Sequence, residues 1–400
     1  MLVYGADPVG LLLALELRRR GVARVRVARP VDASTPLPVP LLLDAATTAA
    51  LVELGLAGVL RDAGTVPLAR VLVARVPREP GRGGRAAPGE AAFAPHAGPG
   101  PLVVERAGLC EALQARLAAL GVAVEPMTDL GAVVQGAEGV SALLVHHLGD
   151  TREILRARWL VWTFYAPHPL NALTGLVYAP ASVRDGIEQS GLVRLPAPQS
   201  AGTAHLWTDG RGYAAVLPLV GRLAHVELSL PDVGPDGAEA RAWSTLRAAL
   251  GWAAGVRWAG RRPDLDASYP GGVGPLPRLR EGRVLLAGAA AHGAAWGAAG
   301  PAAVNAELGD VLTLAPRLAA ALAGKASGGA LDSWANERRV AVLQTPRLLG
   351  ADRARALAEG RLEDAGALVL GHRAMPARDT DEAGPRWHLV PPNAGGGGTP

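Results

Sequence analysis

The chain has 400 residues but a single cysteine, Cys110, and a single lysine, Lys325. One cysteine cannot build an internal disulfide framework. It suits a reducing compartment, and a cytoplasmic location is the expectation. With one cysteine and no metal-ligand spacing around the pair His146 and His147, no metal site is expected. The remaining basic residues are all arginine, and alanine and glycine are abundant, which reads as GC-rich coding sequence and not as function. Phenylalanine occurs only at positions 93 and 164, the arginines are not interleaved with aromatics, and the net charge is only +4, so nucleic acid is not an expected partner. No basic-then-apolar leader precedes Gly5, and there is no Walker lysine or GxSxG elbow. The one long uncharged run lies between Arg283 and Glu307. It contains His292, Pro301 and several glycines, so it reads as a strand and a small-residue loop, not a membrane span.

What is present begins with a tight turn. Residues 2–5 are apolar and end a first strand. Pro8 to Arg20 carries Leu12, Leu15 and Leu17 at helical spacing, with Pro8 tolerated in the first turn and Gly21 as the stop. "VRVAR", 25–29, is a second strand, so the chain opens as a βαβ unit with a parallel sheet. A helix capped by Asp44 runs to Leu54, and 77–101 is a Pro-, Gly- and Arg-rich excursion. Residues 106–122 are an amphipathic helix leading to a strand, 131–163 a β-meander that returns to the main sheet, and 203–230 antiparallel strands. Helices are predicted over 237–251, Asn305–Leu322, 331–343 and 351–370, and the tail from Pro376 is too rich in proline and glycine to pack.

Three ordered segments carry a family resemblance. "GADPVGLLLALELRRRGV" resembles the opening of flavin-dependent aromatic hydroxylases, "GRVLLAGAAAH" with Asn305 and Asp310 resembles their second flavin motif, and "LDSWANERR" is similar to the helix that follows. "LGHR", 370–373, and "PRWH", 385–388, resemble bacterial aromatic polyketide hydroxylases, without the thioredoxin-like continuation usual there. The resemblance implies an α/β, para-hydroxybenzoate hydroxylase-like architecture: a Rossmann-like FAD/NAD(P)-binding fold interleaved with a β-sheet substrate domain, plus C-terminal helices. The dinucleotide-binding part would be 1–70, 102–175 and 266–345, the substrate part 71–101 and 176–265, the helical region 346–374 and the tail 375–400. In the family, FAD lies between the two parts, NADPH reduces it, and a flavin hydroperoxide hydroxylates a phenolic or quinoid ring.

Set beside that pattern, the polar contacts to the cofactor are depleted. Gly5 and Gly10 match the outer glycines of the phosphate turn, but Asp7 replaces the middle one. A carboxylate ~4 Å from a phosphate is repelled by ~4 kcal/mol at an intermediate dielectric, whereas the same group capping the helix contributes ~1 kcal/mol. Asp7 is therefore expected to do for the helix tip what the phosphate ordinarily does. Ala28, followed by Arg29, stands where an acid would accept the ribose hydroxyls. "PLLLD", 40–44, lacks the family's arginine. Phe164 and Tyr165 stand at its Asp-Gly pair, and Gly288-Ala289 at its Gly-Asp. Arg106, His292, Asn305 and Asp310 persist, each also readable as structural, and a lone buried His after a strand is more often a core residue. The expectation is that conventional FAD binding is lost and that the aromatics at 162, 164, 165 and 296 fill the vacated space.

Acid–base candidates are His168 and Tyr165 on the altered central motif, and His205 in the segment "HLWTDGRGY", which also reads as a plain hairpin. Three readings stay open: a non-redox enzyme (cyclisation, dehydration or isomerisation) of aromatic polyketide metabolism acting on a polycyclic aromatic molecule; a non-catalytic partner of a tailoring enzyme; and an FAD/NADPH hydroxylase with atypical contacts.

Overall fold

The computed structural model describes residues 1–31, 40–75, 87–92, 99–179, 187–196, 202–208, 212–230, 238–253, 267–268, 276–293 and 303–343. The expected helix over 351–370, the tail and Trp296 lie outside them. The organising element is a sheet built from short apolar strands in the order Arg280–Glu281, Val284–Leu286, Leu160–Trp162, Leu2–Tyr4, Arg26–Ala28, Val124–Glu125. All its pairs are parallel except that of the edge strand Arg280–Glu281. Leu2–Tyr4 and Leu160–Trp162 are buried on both faces, which is why they read as continuous apolar runs rather than alternating ones.

Helices Pro8–Arg19, Arg106–Ala119 and Val304–Leu322 pack against one another beside this sheet. The second stops three residues short of the predicted span, at a turn in which Gly121 takes a φ of 73°. The meander Thr128–Gly136, Gly139–His146 and Thr151–Ala157 forms a separate antiparallel sheet before the chain re-enters the main one at Leu160.

A second large sheet runs in the order Ala267–Ser268, Ile187–Arg194, Leu223–Leu230, Tyr213–Pro218, Thr203–Thr208, Arg70–Arg75, Ala87–Ala92. One face packs on helix Ala238–Ala253 through Ala214, Val216, Val226, Leu228 and Leu246. The opposite face, with Val71, Val73, Leu206, Ala215 and Leu217, packs on Leu42 and Val103. Those two residues belong to a small sheet of Leu41–Leu43, Leu102–Val104 and Thr65–Pro67. Strand alternation makes that sheet a shared wall: Leu41, Leu43 and Val104 join the core under the parallel sheet, while Leu42 and Val103 join the other.

Candidate functional site

The turn after the first strand is built by three close approaches. Gly5 has a φ of +132°, and a Cβ there would come within 2.2 Å of Thr163 Oγ1. A Cβ on Gly10 would sit 2.1 Å from the Gly5 carbonyl oxygen, and one on Gly288 2.8 Å from Val9 Cγ1. Only hydrogen at these positions lets the ends of three neighbouring strands meet the first turn of helix Pro8–Arg19. Asp7 is the N-cap: its Oδ1 accepts the Gly10 N–H at 2.8 Å and the Thr163 hydroxyl at 3.0 Å. Burial raises the Asp7 pKa, against the lowering effect of these two donors and of Arg106.

More charge gathers at this tip. Arg106, the first residue of helix Arg106–Ala119, is buried and acts electrostatically on Asp7, Cys110 and Glu307. Glu307, in the first turn of helix Val304–Leu322, is also buried. Burial pushes its pKa up to about 7, with His292 and Arg106 lowering it and Asp7 and Asp310 raising it. Burial likewise pushes the Cys110 thiol up to about 12, so it is not a nucleophile at neutral pH. Ala28 is fully buried, and its carbonyl accepts the Gly5 N–H at 2.9 Å. The next residue, Arg29, holds the strand end through backbone bonds to Glu125 and Thr128, while its buried Nε has no hydrogen-bond partner among the described residues.

Around the second flavin-like motif, the retained residues serve the scaffold. Asp310 Oδ2 accepts from the Gly288 N–H at 2.9 Å and lies 3.1 Å from His292 Nε2. Its Oδ1 accepts from Arg338 Nε at 2.6 Å. Burial alone would raise the Asp310 pKa, but Arg338 and His292 outweigh it and hold the carboxylate low. Ala289, beside Gly288, opens the short helix Ala289–His292 and offers no side-chain acceptor. Asn305 bridges two segments: its Oδ1 accepts from the Asp44 N–H at 3.0 Å and its Nδ2 donates to the Leu42 carbonyl at 2.8 Å.

Of the four aromatics at 162, 164, 165 and 296, Trp162, Phe164 and Tyr165 are described. Trp162 and Phe164 stack with centroids 5.6 Å apart, and Tyr4 meets both rings edge-on. The Tyr4 hydroxyl accepts the Leu130 N–H of the meander, so this trio adjoins the meander. The cause is register: Tyr4 and Trp162 are cross-strand partners and must share a face. Tyr165, half-buried, lies 5.3 Å from Tyr178, whose hydroxyl donates to the Ala290 carbonyl at 2.7 Å. His168 is in helix Pro167–Thr174, and its side chain lies outside the description. His205 is in the other large sheet. It pairs with Val216, which puts it on the face covered by helix Ala238–Ala253, and burial with nearby Arg70 lowers its pKa to about 4. Thus Tyr165 and His168 are near neighbours in the chain, and His205 belongs elsewhere.

Two residues at this tip escape the sequence reading. Thr163 was hidden in an apolar strand. Glu307 looked like an ordinary acid in a helix's first turn. His225, which the sequence offers as an acid–base candidate in the substrate sheet, sits in strand Leu223–Leu230 with both ring nitrogens buried.

With this geometry in view, the comparisons are consistent. The family model described as "FAD binding domain" matches residues 1–162 and 199–347, and the chain belongs to that family. It is similar to 6-methylpretetramide 4-monooxygenase of Streptomyces rimosus, 28% identical over 346 residues, covering 84% of this chain but 58% of that protein. The chain thus spans under two thirds of that relative. It is equally similar to dialkyldecalin synthase of Streptomyces rugosporus, 28% identical over 348 residues, covering 85% of this chain and 69% of that one. The crystal structure of p-nitrophenol 4-monooxygenase from Pseudomonas putida DLL-E4 superposes with a TM-score of 0.70 at 22% identity, covering 92% of this chain and 95% of that one, and shares its fold. The α/β, FAD-binding hydroxylase architecture expected from the motifs is therefore the architecture found. Among the described residues no helix is long and apolar enough to cross a membrane, and no group of metal-ligating side chains occurs.

Proposed function

We propose that this chain is a flavin-independent member of its family, acting in a non-redox step on a polycyclic aromatic molecule. The observation that carries this reading is the Asp7 cap. A dinucleotide's pyrophosphate is held by the free N–H groups and positive end of a helix. Here an internal carboxyl group already takes the Gly10 N–H, and a second acid, Glu307, is buried within its electrostatic reach. Ala28 and Ala289 add no side-chain acceptor for ribose or ribityl hydroxyls. These residues are a poor match for FAD. Each lost bond removes about 0.5–1.5 kcal/mol, or about 1.5–3 kcal/mol where a charge is involved, and tenfold in affinity is ~1.4 kcal/mol.

Tyr165 and His168 are the proton-handling pair of this reading. Burial raises the Tyr165 pKa, which keeps its hydroxyl protonated as a general acid for cyclisation, dehydration or isomerisation. The substrate would lie against the seven-stranded sheet, in the expected substrate part of the chain. That one relative is named a synthase and another a monooxygenase supports a scaffold open to both kinds of chemistry.

The family match itself favours a second reading, an FAD/NADPH-dependent hydroxylase with unusual contacts. One experiment separates the two: the visible spectrum of the purified chain, followed by FAD titration of the wild type and of a variant carrying Asp7→Gly, Ala28→Glu and Ala289→Asp. The expected result is a colourless protein whose repaired variant binds FAD at least tenfold more tightly. A yellow protein with stoichiometric FAD overturns the proposal.

A further inference from the structure

We propose that His225 and Ser190 form a neutral polar subsite that holds a hydroxyl or keto oxygen of a polycyclic ligand, on the face of the seven-stranded sheet turned away from helix Ala238–Ala253. The inference rests on the polycyclic-ligand part of the function proposed above, not on the absence of flavin. His225 is 0% exposed, and neither ring nitrogen has a hydrogen-bond partner among the described residues. Ser190 is also buried, and its hydroxyl likewise has none.

Register places them together. Leu192 pairs with His225 and Ser190 with Glu227, so His225 and Ser190 are diagonal neighbours on adjacent strands, on one face. His225 also pairs with Leu217, a member of the core that meets Leu42 and Val103, which identifies the face. Along it the surroundings are apolar: Leu217, Ala215, Leu206 and Ala204. Leu192, the cross-strand partner of His225, is 39% exposed, so a sealed polar floor adjoins an open apolar rim. The neighbouring Glu227 is already engaged, accepting a hydrogen bond from the Tyr213 hydroxyl.

A buried donor or acceptor left unmade is destabilising, and such groups persist where something else completes them. The chemistry of the pair defines that something. Burial lowers the His225 pKa to about 3, so the ring is a neutral donor and acceptor across the physiological range. A neutral imidazole and a hydroxyl, set in alkyl surroundings, match an uncharged phenol or ketone on a flat ring system. They offer no charge to a carboxylate or phosphate.

The test measures binding of 2-hydroxyanthracene and of anthracene, which carries no oxygen, at pH 6, by quenching of tryptophan fluorescence, to the wild type, His225→Leu and Ser190→Ala. The hydroxylated ring should bind the wild type about tenfold more tightly than the bare one. Each variant should lose that preference while keeping its affinity for anthracene. His225→Leu, which removes an unpaired buried imidazole, should also melt at or above the wild-type Tm. Equal binding of the two rings by the wild type, or preference retained in both variants, overturns the subsite while leaving polycyclic binding standing. Preference retained together with a lowered Tm in His225→Leu assigns the imidazole to the fold alone. Binding of neither ring overturns the polycyclic reading and the subsite with it.

Discussion

The carboxyl group of Asp7 accepts the backbone N–H of Gly10 at 2.8 Å, filling with the chain's own atom a donor that a helix tip otherwise turns toward a bound anion. The Thr163 hydroxyl, from the neighbouring strand end, fixes the same oxygen at 3.0 Å.

Asp7→Asn keeps an acceptor at the cap, whereas Asp7→Ala removes it. The alanine variant is expected to lose about 1 kcal/mol of stability and the asparagine variant much less. Both should bind ADP, a probe of the pyrophosphate position, more tightly than the wild type. Urea unfolding and calorimetric titration measure the two effects.

Glu307 gives the protein an alkaline weakness. Its folded pKa of about 7 is above the ordinary value of 4.5, so the folded state holds the proton more strongly than the unfolded state. Its contribution to stability is fully present below pH 4.5 and is lost as the pH rises through 7. The slope is about 1.4 kcal/mol per pH unit across that window. Glu307→Gln should match the wild type near pH 4.5 and exceed it by about 3 kcal/mol at pH 8, in denaturant unfolding at the two pH values.

Arg338 and Asp310 form a buried pair, with Nε to Oδ1 at 2.6 Å and both side chains nearly inaccessible. Arg338→Ala leaves the buried Asp310 with only the Gly288 N–H and His292 as partners and should cost about 3 kcal/mol. A double variant, Arg338→Met with Asp310→Asn, should recover part of that loss. The comparison is read from thermal melts of the three variants.

Gly10→Ala and Gly21→Ala should differ sharply. The first places a methyl 2.1 Å from the Gly5 carbonyl oxygen, forcing helix and turn apart. The second strains only a φ of +84°, with nothing within 4 Å. A loss above about 3 kcal/mol is expected at Gly10 and about 1 kcal/mol at Gly21, by chemical denaturation.

The parallel sheet, its helices and the meander were legible because apolar spacing and glycine stops are local signals. The site was legible only where chemistry showed as a substitution, as at Asp7, Ala28 and Ala289. Glu307 was missed because an acid in a first helical turn normally faces water and complements the dipole. Its burial comes from the approach of helices Pro8–Arg19 and Arg106–Ala119, which no local pattern encodes. His225 reads in the sequence as an acid–base candidate, and its full burial does not show there. In "LAHVELSL" the polar positions alternate as on a solvated face, yet this strand is covered on both sides. Asn305 reads as a helix cap but ties down strand Leu41–Leu43 and the helix cap Asp44, more than 260 residues earlier in the chain.

Strand Leu41–Leu43, gripped by Asn305, sends Leu42 into one core and Leu41 and Leu43 into the other. Neither half of the molecule can therefore come undone alone without tearing a leucine out of the half that survives. Heating should produce a single calorimetric transition, and a polar residue at position 42 should soften both sheets at once, seen as amide exchange quickening in strands far from the lesion.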